Sequence, residues 1–380
     1  MTNHFLRCTG RVITAGVAVL LLAPQLHAQP KEDRSVSLTI ENDTFFGGTD
    51  SSYTNGIRLS WDLLRANRVM SASARVLTLE GAASRFVPGL RQSMPLLACE
   101  VHEAREQGTR NCMTMGFSLA QTMFTPSNIV DPAPQYGARP YAGMLFASAY
   151  VTRLRVKAQY ATEVQLGVVG PASFSEHTQS LAHWTFSSGA AKPRGWDNQL
   201  RNRVHVGLVN TYMYRWGEKC LAGKCNGSID ERRVFDFTPR VEGTVGTHMV
   251  RGTGGAMLRL GYKFPDAVGL TRIPTTAAAN PSRSGPAFWW NAFVSADQRV
   301  VAHNTFITGK YPFMDDRWDS VRTIGLKRLV HEVSYGGVVG LRRGTVSVQM
   351  INRSSEYAPA GGGHVFGSLT FTLFTPMVAN

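Results

Sequence analysis

Alternation of apolar and polar residues is the feature that most restricts what this chain can fold into. In residues 368–374, Leu369, Phe371 and Leu373 alternate with serine and threonine. Residues 53–63 repeat the pattern, with isoleucine, leucine and tryptophan on one side and threonine, arginine, serine and aspartate on the other. A period of two is typical of β-strands that have one apolar and one polar face.

Twelve segments of this kind follow one another along the chain. They are 34–42, 53–63, 113–123, 142–152, 156–169, 203–216, 232–245, 249–262, 286–299, 331–342, 345–353 and 364–374. Many have about ten residues, the length that a tilted strand needs to cross a bilayer. A soluble β-sandwich is the alternative, but its strands are usually shorter. We therefore predict an all-β fold, a twelve-stranded antiparallel transmembrane β-barrel with a short outer-loop helix.

The first 28 residues have the pattern of a secretory signal peptide. Arg7 and Arg11 precede an apolar stretch that ends in a small-residue cleavage site at Ala28. We predict that residues 1–28 are removed on export and that residues 29–380 form a barrel in the bacterial outer membrane. No apolar run of 18 or more residues follows, which excludes a helical membrane span.

The chain is basic and rich in apolar residues. Lys and Arg number 40 against 26 Asp and Glu, which gives a formal net charge of +14. A hydrophobic content of 43% excludes an intrinsically disordered chain. In an exported protein this charge suits the phosphate groups of lipid heads, and nucleic acid is not expected as a partner.

Four cysteines remain after the signal peptide, in a compartment that oxidises thiols. Their spacing favours the pairs Cys99–Cys112 and Cys220–Cys225, each of which closes a small loop. The other connectivities stay open. A zinc site is a further alternative, although it would need tighter C-x-x-C pairs or nearby histidines.

Strand parity predicts which connections share an end of the barrel. With the N-terminus in the periplasm, the connections 43–52, 124–141 and 170–202 lie on the outward rim. Both disulfide loops and the insertion 64–112 then lie at the periplasmic end.

Polar residues cluster around the first of these outer connections. Asn42, Asp43 and Thr54 lie at the facing ends of two adjacent predicted strands. Amide, carboxylate and hydroxyl oxygens are the ligands that Ca²⁺ takes, so the cluster could hold a calcium ion. The alternative is an ordinary turn, in which such residues are common.

The third outer connection contains a helix signal. Ser173 and Glu176 have capping-box spacing and predict a short helix over residues 174–189. Gln179 and His183 are four residues apart and therefore project from one face of that helix. His183 could act as a general base because an unperturbed histidine titrates near neutrality. The alternative is a histidine without a catalytic role.

Two more residues flank the outer connections. Arg139 could pair with a phosphate group or hold its loop by a bridge to an acid. Trp196 is expected as an anchor at the membrane interface.

At these residues the chain resembles the outer-membrane lipid A 3′-O-deacylase family. The similarity runs in order through essentially the whole chain after the signal peptide. Its segments are Glu41–Asp43, Tyr53–Trp61, Ala138–Gly143, Gly167–Pro171, Gln179–His183 and Gly195–Gln199.

The resemblance implies a twelve-stranded barrel that removes the 3′-linked acyl group from lipid A with calcium. Carried over position by position, it implies that Asn42, Thr54, Gln179 and His183 are catalytic and that Asp43 binds the metal. It also implies that calcium polarises the ester carbonyl while His183 activates a water. These positions all lie on the outward rim, facing the leaflet that contains lipopolysaccharide.

Two positions depart from the family pattern. Residues 128–131 contain no lysine, and Gly189 stands where some members have an acidic residue. Both departures bear on which acyl pattern of lipid A the chain accepts.

We therefore expect a calcium-dependent lipid A deacylase, a carboxylic ester hydrolase of the outer membrane. Two alternatives remain, a non-catalytic barrel of porin-like or structural type and an outer-membrane phospholipase. The sequence has no G-x-S-x-G nucleophile elbow, which weakens a serine-based form of the phospholipase.

Overall fold

The computed structural model describes most of the chain after the predicted signal peptide. The described residues are 33–45, 52–63, 112–154, 157–186, 192–223, 225, 232–265, 272–273, 287–311, 324–358 and 362–376. The predicted signal peptide and Cys99 lie outside them.

All twelve predicted segments form strands, and each agrees with its predicted range to within a few residues. The strands are β1 Asp33–Asn42, β2 Ser52–Leu63, β3 Cys112–Thr125, β4 Ala142–Leu154, β5 Ala158–Val169, β6 Arg203–Tyr214, β7 Arg233–Gly246, β8 Met249–Phe264, β9 Phe288–Asn304, β10 Leu329–Leu341, β11 Gly344–Arg353 and β12 His364–Pro376.

These strands form a closed antiparallel barrel. Each strand pairs with its neighbours in sequence. The ring closes because β1 also pairs with β12, from Asp33 opposite Pro376 to Asn42 opposite Gly367. The predicted barrel is therefore confirmed.

Short helices, 3₁₀ turns and short strands lie in the connections at both ends of the barrel. They are the helices α1 Ser175–Phe186 and α2 Thr305–Thr308, the 3₁₀ turns Asp43–Phe45, Pro171–Ser173 and Trp196–Asn198, and the short strands Gly217–Cys220, Gly325–Leu326 and Tyr357–Ala358. Among the described residues, no helix is long and apolar enough to cross a membrane.

The wall has one polar and one apolar face, as the alternation predicts. Ser37 and Thr39 face the lumen, where their hydroxyls bond across the pair of strands to Thr372 and Thr370. On the other face Leu166 is 62% exposed. An apolar band of this kind faces lipid in outer-membrane barrels.

Ion pairs fill the lumen. The buried carboxylate of Glu332 binds three buried arginines, Arg272, Arg299 and Arg353. Nearer to β2, Arg58 binds Glu163 at 2.7 Å, and both side chains are fully buried. These fixed pairs occupy the space that a water-filled channel would need.

Part of the β8–β9 connection also lies inside the lumen. The backbone N–H of Ile273 donates to Oε1 of Glu41 at 3.2 Å. Its carbonyl accepts from Arg58 at 3.3 Å. The preceding Arg272 binds Glu332 of β10, which is three strands away from β1 around the barrel. These contacts hold this part of the connection inside the barrel at the level of Glu41.

The ends of the barrel follow the predicted parity. The β1–β2, β3–β4 and β5–β6 connections lie at one end, which we call the outer end. The β6–β7 connection lies at the opposite end and contains the disulfide Cys220–Cys225, which confirms that predicted pair. The predicted pair Cys99–Cys112 involves a residue outside the described part.

Candidate functional site

The outer end of β1 places the predicted amide and carboxylate side by side. β1 ends at Asn42, and the chain then turns through the 3₁₀ segment Asp43–Phe45. Asp43 is fully buried. Leu38 is exposed on the lipid-facing side, and by strand alternation Asn42 lies on the same side.

A register shift modifies the facing end of β2. The pairing with β3 shifts between Tyr53 and Asn55, so Thr54 is the extra residue at this point. Above the shift Tyr53 packs in the lumen against Phe124, with ring centroids 5.5 Å apart. The shift puts Thr54 at the outer rim, next to Asn55, which is the β2 partner of Asn42. The side chain of Thr54 is outside the described part.

Amide side chains interrupt the apolar outer surface at this rim. Asn42 and Asn55 are direct partners across β1 and β2, and both lie at lipid-facing positions. Gln121 of β3 is also at a lipid-facing position, because it alternates with exposed Leu119. Amides are costly in hydrocarbon, so three of them at neighbouring lipid-facing positions mark a candidate site.

The loop between β5 and β6 covers this part of the wall from outside. Gln121 donates to the carbonyl of Ser173 at 2.6 Å. Met123 is at a lipid-facing position yet is fully buried, because it clusters with Tyr141 and Trp196. The loop therefore lies against the outer surface of β3 rather than over the lumen.

Gly143 lets the start of α1 approach the wall closely. A Cβ at this position would lie 2.2 Å from the Oγ atoms of Ser173 and Ser175. Only a residue without a side chain fits there. This contact places the first turn of α1 on the outer surface of β4.

One face of α1 is turned to the protein. Ser175 and Gln179 are buried, whereas Phe174 and Leu181 are about 60% exposed. The Oε1 atom of Gln179 accepts a hydrogen bond from the indole N–H of Trp196 at 2.8 Å. His183 is one helical turn after Gln179 in α1, and its side chain lies outside the described part.

The helix start differs from the prediction. α1 begins at Ser175, because Pro171–Ser173 forms a separate 3₁₀ turn. The hydroxyl of Ser173 lies 3.0 Å from that of Ser175, a contact other than the predicted capping box. Proline at the start of the turn fixes the backbone in the tighter helical form.

The predicted residues thus fall into two neighbouring groups. Asn42, Asp43 and Thr54 lie at the rim of β1 and β2, and Gln179 and His183 lie on α1, which packs against β3 and β4. Strands are spaced about 4.8 Å apart, so the two groups are separated by roughly 10 Å along the wall.

Sequence profiles provide the deciding comparison. The profile described as "Outer membrane protein LpxR" matches residues 14–375 of this chain.

The chain belongs to the LpxR family.

One solved structure agrees with this assignment at the level of the fold. LpxR from Salmonella typhimurium matches with a TM-score of 0.63 and 17% sequence identity, and the match covers 90% of this chain and 100% of that chain. The β-domain of the Bordetella autotransporter BrkA matches with a TM-score of 0.38 and 7% identity, covering 91% of this chain and 99% of that chain. A search of curated proteins finds no match.

Membership of the LpxR family places the chain in the outer membrane and supports a lipid A-modifying enzyme. The resemblance found in the sequence is thereby confirmed.

The structure of this LpxR-family barrel decides two expectations from the sequence at this site. Trp196 is 2% exposed, so the prediction of a membrane anchor is wrong. Arg139 is also buried, lies 3.7 Å from Glu356 and donates to the carbonyl of Phe306 at 3.3 Å. It therefore holds the loops together by a bridge to an acid, the second of its two predicted roles.

Burial and charge act on this bridge in opposite directions. Burial lowers the pKa of Arg139, which Glu356 partly offsets. Burial would raise the pKa of Glu356, but Arg353 and Arg139 outweigh it and hold that pKa below its usual value. The carboxylate is therefore ionised at neutral pH and keeps the loop bridge intact.

Sequence reasoning passed over Asn55 and Gln121. Their signal was present in the alternation, because both amides occupy positions of the apolar face. An amide on the lipid-facing side of a predicted barrel strand is the pattern that would have identified them.

Proposed function

We propose that this chain hydrolyses the 3′-linked acyl ester of lipid A in a calcium-dependent reaction. The observation that carries the proposal is the position of Asn42 and Asp43 at the outer rim, where Asn42 lies on the same outer side of the wall as α1. Lipid A lies in the outer leaflet and reaches this side of the wall by lateral diffusion. A site inside the lumen would be closed to such a substrate.

The outer surface of the wall at this rim suits an ester whose two ends differ in polarity. Below the amides the wall presents exposed apolar residues, such as Leu38 and Leu119, that can contact an acyl chain. Above them lie the polar outer loops. The scissile ester is the junction of acyl chain and sugar, so it would lie at the level of Asn42 and Asn55.

His183 is the proposed base. It accepts a proton from a water molecule whose oxygen attacks the ester carbonyl carbon. Collapse of the tetrahedral intermediate breaks the bond between the carbonyl carbon and the sugar oxygen. The sugar oxygen takes the proton back from His183 and leaves as an alcohol, and the acyl chain leaves as a carboxylate after its acid proton passes to solvent. Gln179, which is on the same helix as His183, is held by Trp196 and would orient the water or His183.

Asn42 and Thr54 are proposed to orient the ester. Amide N–H and hydroxyl groups can donate to the oxygen on which negative charge develops. Donors that are already positioned by a strand end lose little freedom when the reaction occurs. The pairing of Asn42 with Asn55 across β1 and β2 supplies that rigidity.

The donors at this site fit calcium. Asp43 has a buried carboxylate, and Asn42 beside it has an amide oxygen, both of the hard type that calcium prefers. In the described part of the chain, no three His, Cys, Asp or Glu side chains come together as a metal site. Transition metals need such groups, whereas calcium also takes amide and backbone oxygens. When bound, calcium supplies Lewis-acid polarisation of the ester carbonyl.

The occupied lumen disfavours the porin-like alternative. Arg272 binds Glu332 and the backbone N–H of Ile273 donates to Glu41, so part of the β8–β9 connection lies inside the barrel. The purified barrel should give no stable conductance steps in a planar bilayer. Stable ohmic conductance would favour the non-catalytic, porin-like alternative.

Mass spectrometry of lipid A tests the proposal directly. Lipid A is isolated from cells that express the chain and is compared with and without a calcium chelator. Loss of one 3′-linked acyl unit only with calcium supports the reaction and the metal. Release of fatty acid from glycerophospholipid instead would favour the phospholipase alternative. Unchanged lipids in the presence of folded, calcium-supplied barrel would contradict both esterase functions.

A further inference from the structure

We infer that Asn55 is an oxygen ligand of the calcium ion, a role that rests on the proposed function. The side chain of Asn55 is 7% exposed. Its Oδ1 atom is buried and has no hydrogen-bond partner. A buried amide oxygen without a partner is destabilising, so its retention calls for a ligand.

The direction of this side chain separates it from other buried polar atoms. Most strand side chains with an unpaired buried atom, such as Ser60 and Thr122, face the polar lumen. Asn55 alternates with Ile57, Leu59 and exposed Trp61, so it faces the lipid side. Neither lumen water nor hydrocarbon satisfies its oxygen there.

The neighbours of Asn55 make a cation the natural partner. It is opposite Asn42 in the β1–β2 register, and Asp43 follows Asn42 directly. On its other side its register partner is Met123, which the β5–β6 loop buries. The oxygen therefore lies in a covered space next to the strand end that carries Asn42 and Asp43.

Calcium requires more oxygens than the predicted residues provide. It takes about six to eight, and a single carboxylate supplies at most two of them. Neighbouring amide oxygens are the remaining protein ligands at this rim. Asn55 is the buried one, and ion binding would remove the cost of its unpaired oxygen.

Calcium titration of the purified, refolded barrel in detergent tests this role without an activity assay. The Asn55→Leu variant keeps the volume and removes the oxygen, and we expect it to weaken calcium binding by roughly tenfold. Asn55→Asp keeps an oxygen and should bind calcium at least as tightly as the wild-type chain. Asn291→Leu is the matched control, because Asn291 is 4% exposed and also has an unpaired Oδ1, but it faces the lumen near the opposite end.

The outcomes separate this inference from the proposed function. If the wild-type chain binds calcium and Asn55→Leu binds it equally well, Asn55 is not a ligand and the proposed function stands. If Asn55→Leu binds calcium normally but loses hydrolysis, Asn55 contacts the ester instead, which also overturns the inference. A wild-type chain that binds no calcium would overturn the metal requirement itself.

Discussion

The indole N–H of Trp196 donates to Oε1 of Gln179 at 2.8 Å, and the two residues belong to different segments of the β5–β6 loop. Trp196 also packs against Tyr141, with ring centroids 5.0 Å apart. Tyr141 in turn donates from its hydroxyl to the carbonyl of Ile129 at 2.9 Å. Helix α1 is thus tied to the wall and to the β3–β4 loop through one tryptophan.

Replacement of Trp196 by Phe should lower activity without unfolding the barrel. Phenylalanine keeps the aromatic contact but removes the N–H, and one such bond contributes about 0.5–1.5 kcal/mol. We expect kcat to fall by roughly threefold to tenfold, the factor to which that energy corresponds. Steady-state deacylation of lipid A measures it, with heat-modifiable migration on gels as the folding control. Full activity would show that this bond does not orient Gln179.

Replacement of His183 by Ala should leave the barrel folded and remove hydrolysis. A positioned base contributes about 10²–10⁴-fold to rate, so activity should fall by that factor. His177→Ala is the matched control, since His177 is exposed on the same helix. Lipid A mass spectra of the two variants give the comparison. If His183→Ala retained wild-type activity, another group would have to be the base.

Replacement of Asp43 by Asn should weaken calcium binding and raise the calcium concentration needed for activity. The change removes the charge but keeps an oxygen of the same size, and calcium affinity depends on ligand charge. Sensitised terbium luminescence of the purified barrel measures the effect. Asp197→Asn, at an exposed position of the outer loop, should bind the ion like the wild-type chain. Equal affinity of the Asp43 variant would remove Asp43 from the ligand set.

Replacement of Glu332 by Gln should destabilise the barrel. It leaves Arg272, Arg299 and Arg353 without their shared carboxylate, and breaking a buried ion pair costs about 3–5 kcal/mol. Urea unfolding followed by tryptophan fluorescence in lipid vesicles measures the free energy of unfolding. Glu176→Gln on the exposed face of α1 serves as the control. A wild-type unfolding midpoint for Glu332→Gln would mean that the arginines are satisfied otherwise.

Stability at the outer end should depend on pH through His248. Burial, with smaller contributions from His205 and His303, lowers the pKa of His248 to about 3. In the unfolded chain this histidine titrates near pH 6.5. Between these two values the unfolded state binds a proton that the folded state does not, so stability falls as pH is lowered from 6.5 towards 3.

The His248→Phe variant isolates this effect. Phenylalanine can keep the ring contacts with Phe306 and Tyr311 but cannot bind a proton. The free energy of unfolding should therefore depend less on pH in His248→Phe than in the wild-type chain between pH 4 and about 6.5. Replacing the exposed His331 should not change this slope. Unchanged pH dependence in His248→Phe would contradict the proton linkage.

The alternation of polar and apolar residues was enough to locate the strands, because the two faces of each barrel strand have different surroundings. Leu369 and Thr370 differ in polarity since one faces lipid and the other faces the lumen, and no distant residue changes that relation. The alternation also located the end of β1, because Asn42 and Asp43 follow the last alternating residue. Family resemblance then supplied what those positions imply, including the roles of Thr54, Gln179 and His183.

Other features depended on residues far apart in the chain. Trp196 looked like a surface anchor because nothing nearby in sequence indicates that Tyr141 and Met123 bury it. Arg139 was ambiguous until the bridge to Glu356, more than two hundred residues later, decided its role. The position of Ile273 beneath Glu41 depends in the same way on contacts across the lumen.

The sequence alone therefore determined the twelve strands, their faces and the end of the barrel at which the polar residues gather. Those properties follow from the alternation of adjacent residues and from the order of the strands, both of which can be read along the chain without knowledge of distant contacts. Only the tertiary structure decided that α1 lies outside the wall, that Asn55 is buried beside Asn42 and that part of the β8–β9 connection lies inside the lumen. These arrangements arise from packing between distant segments, whose geometry no local pattern contains.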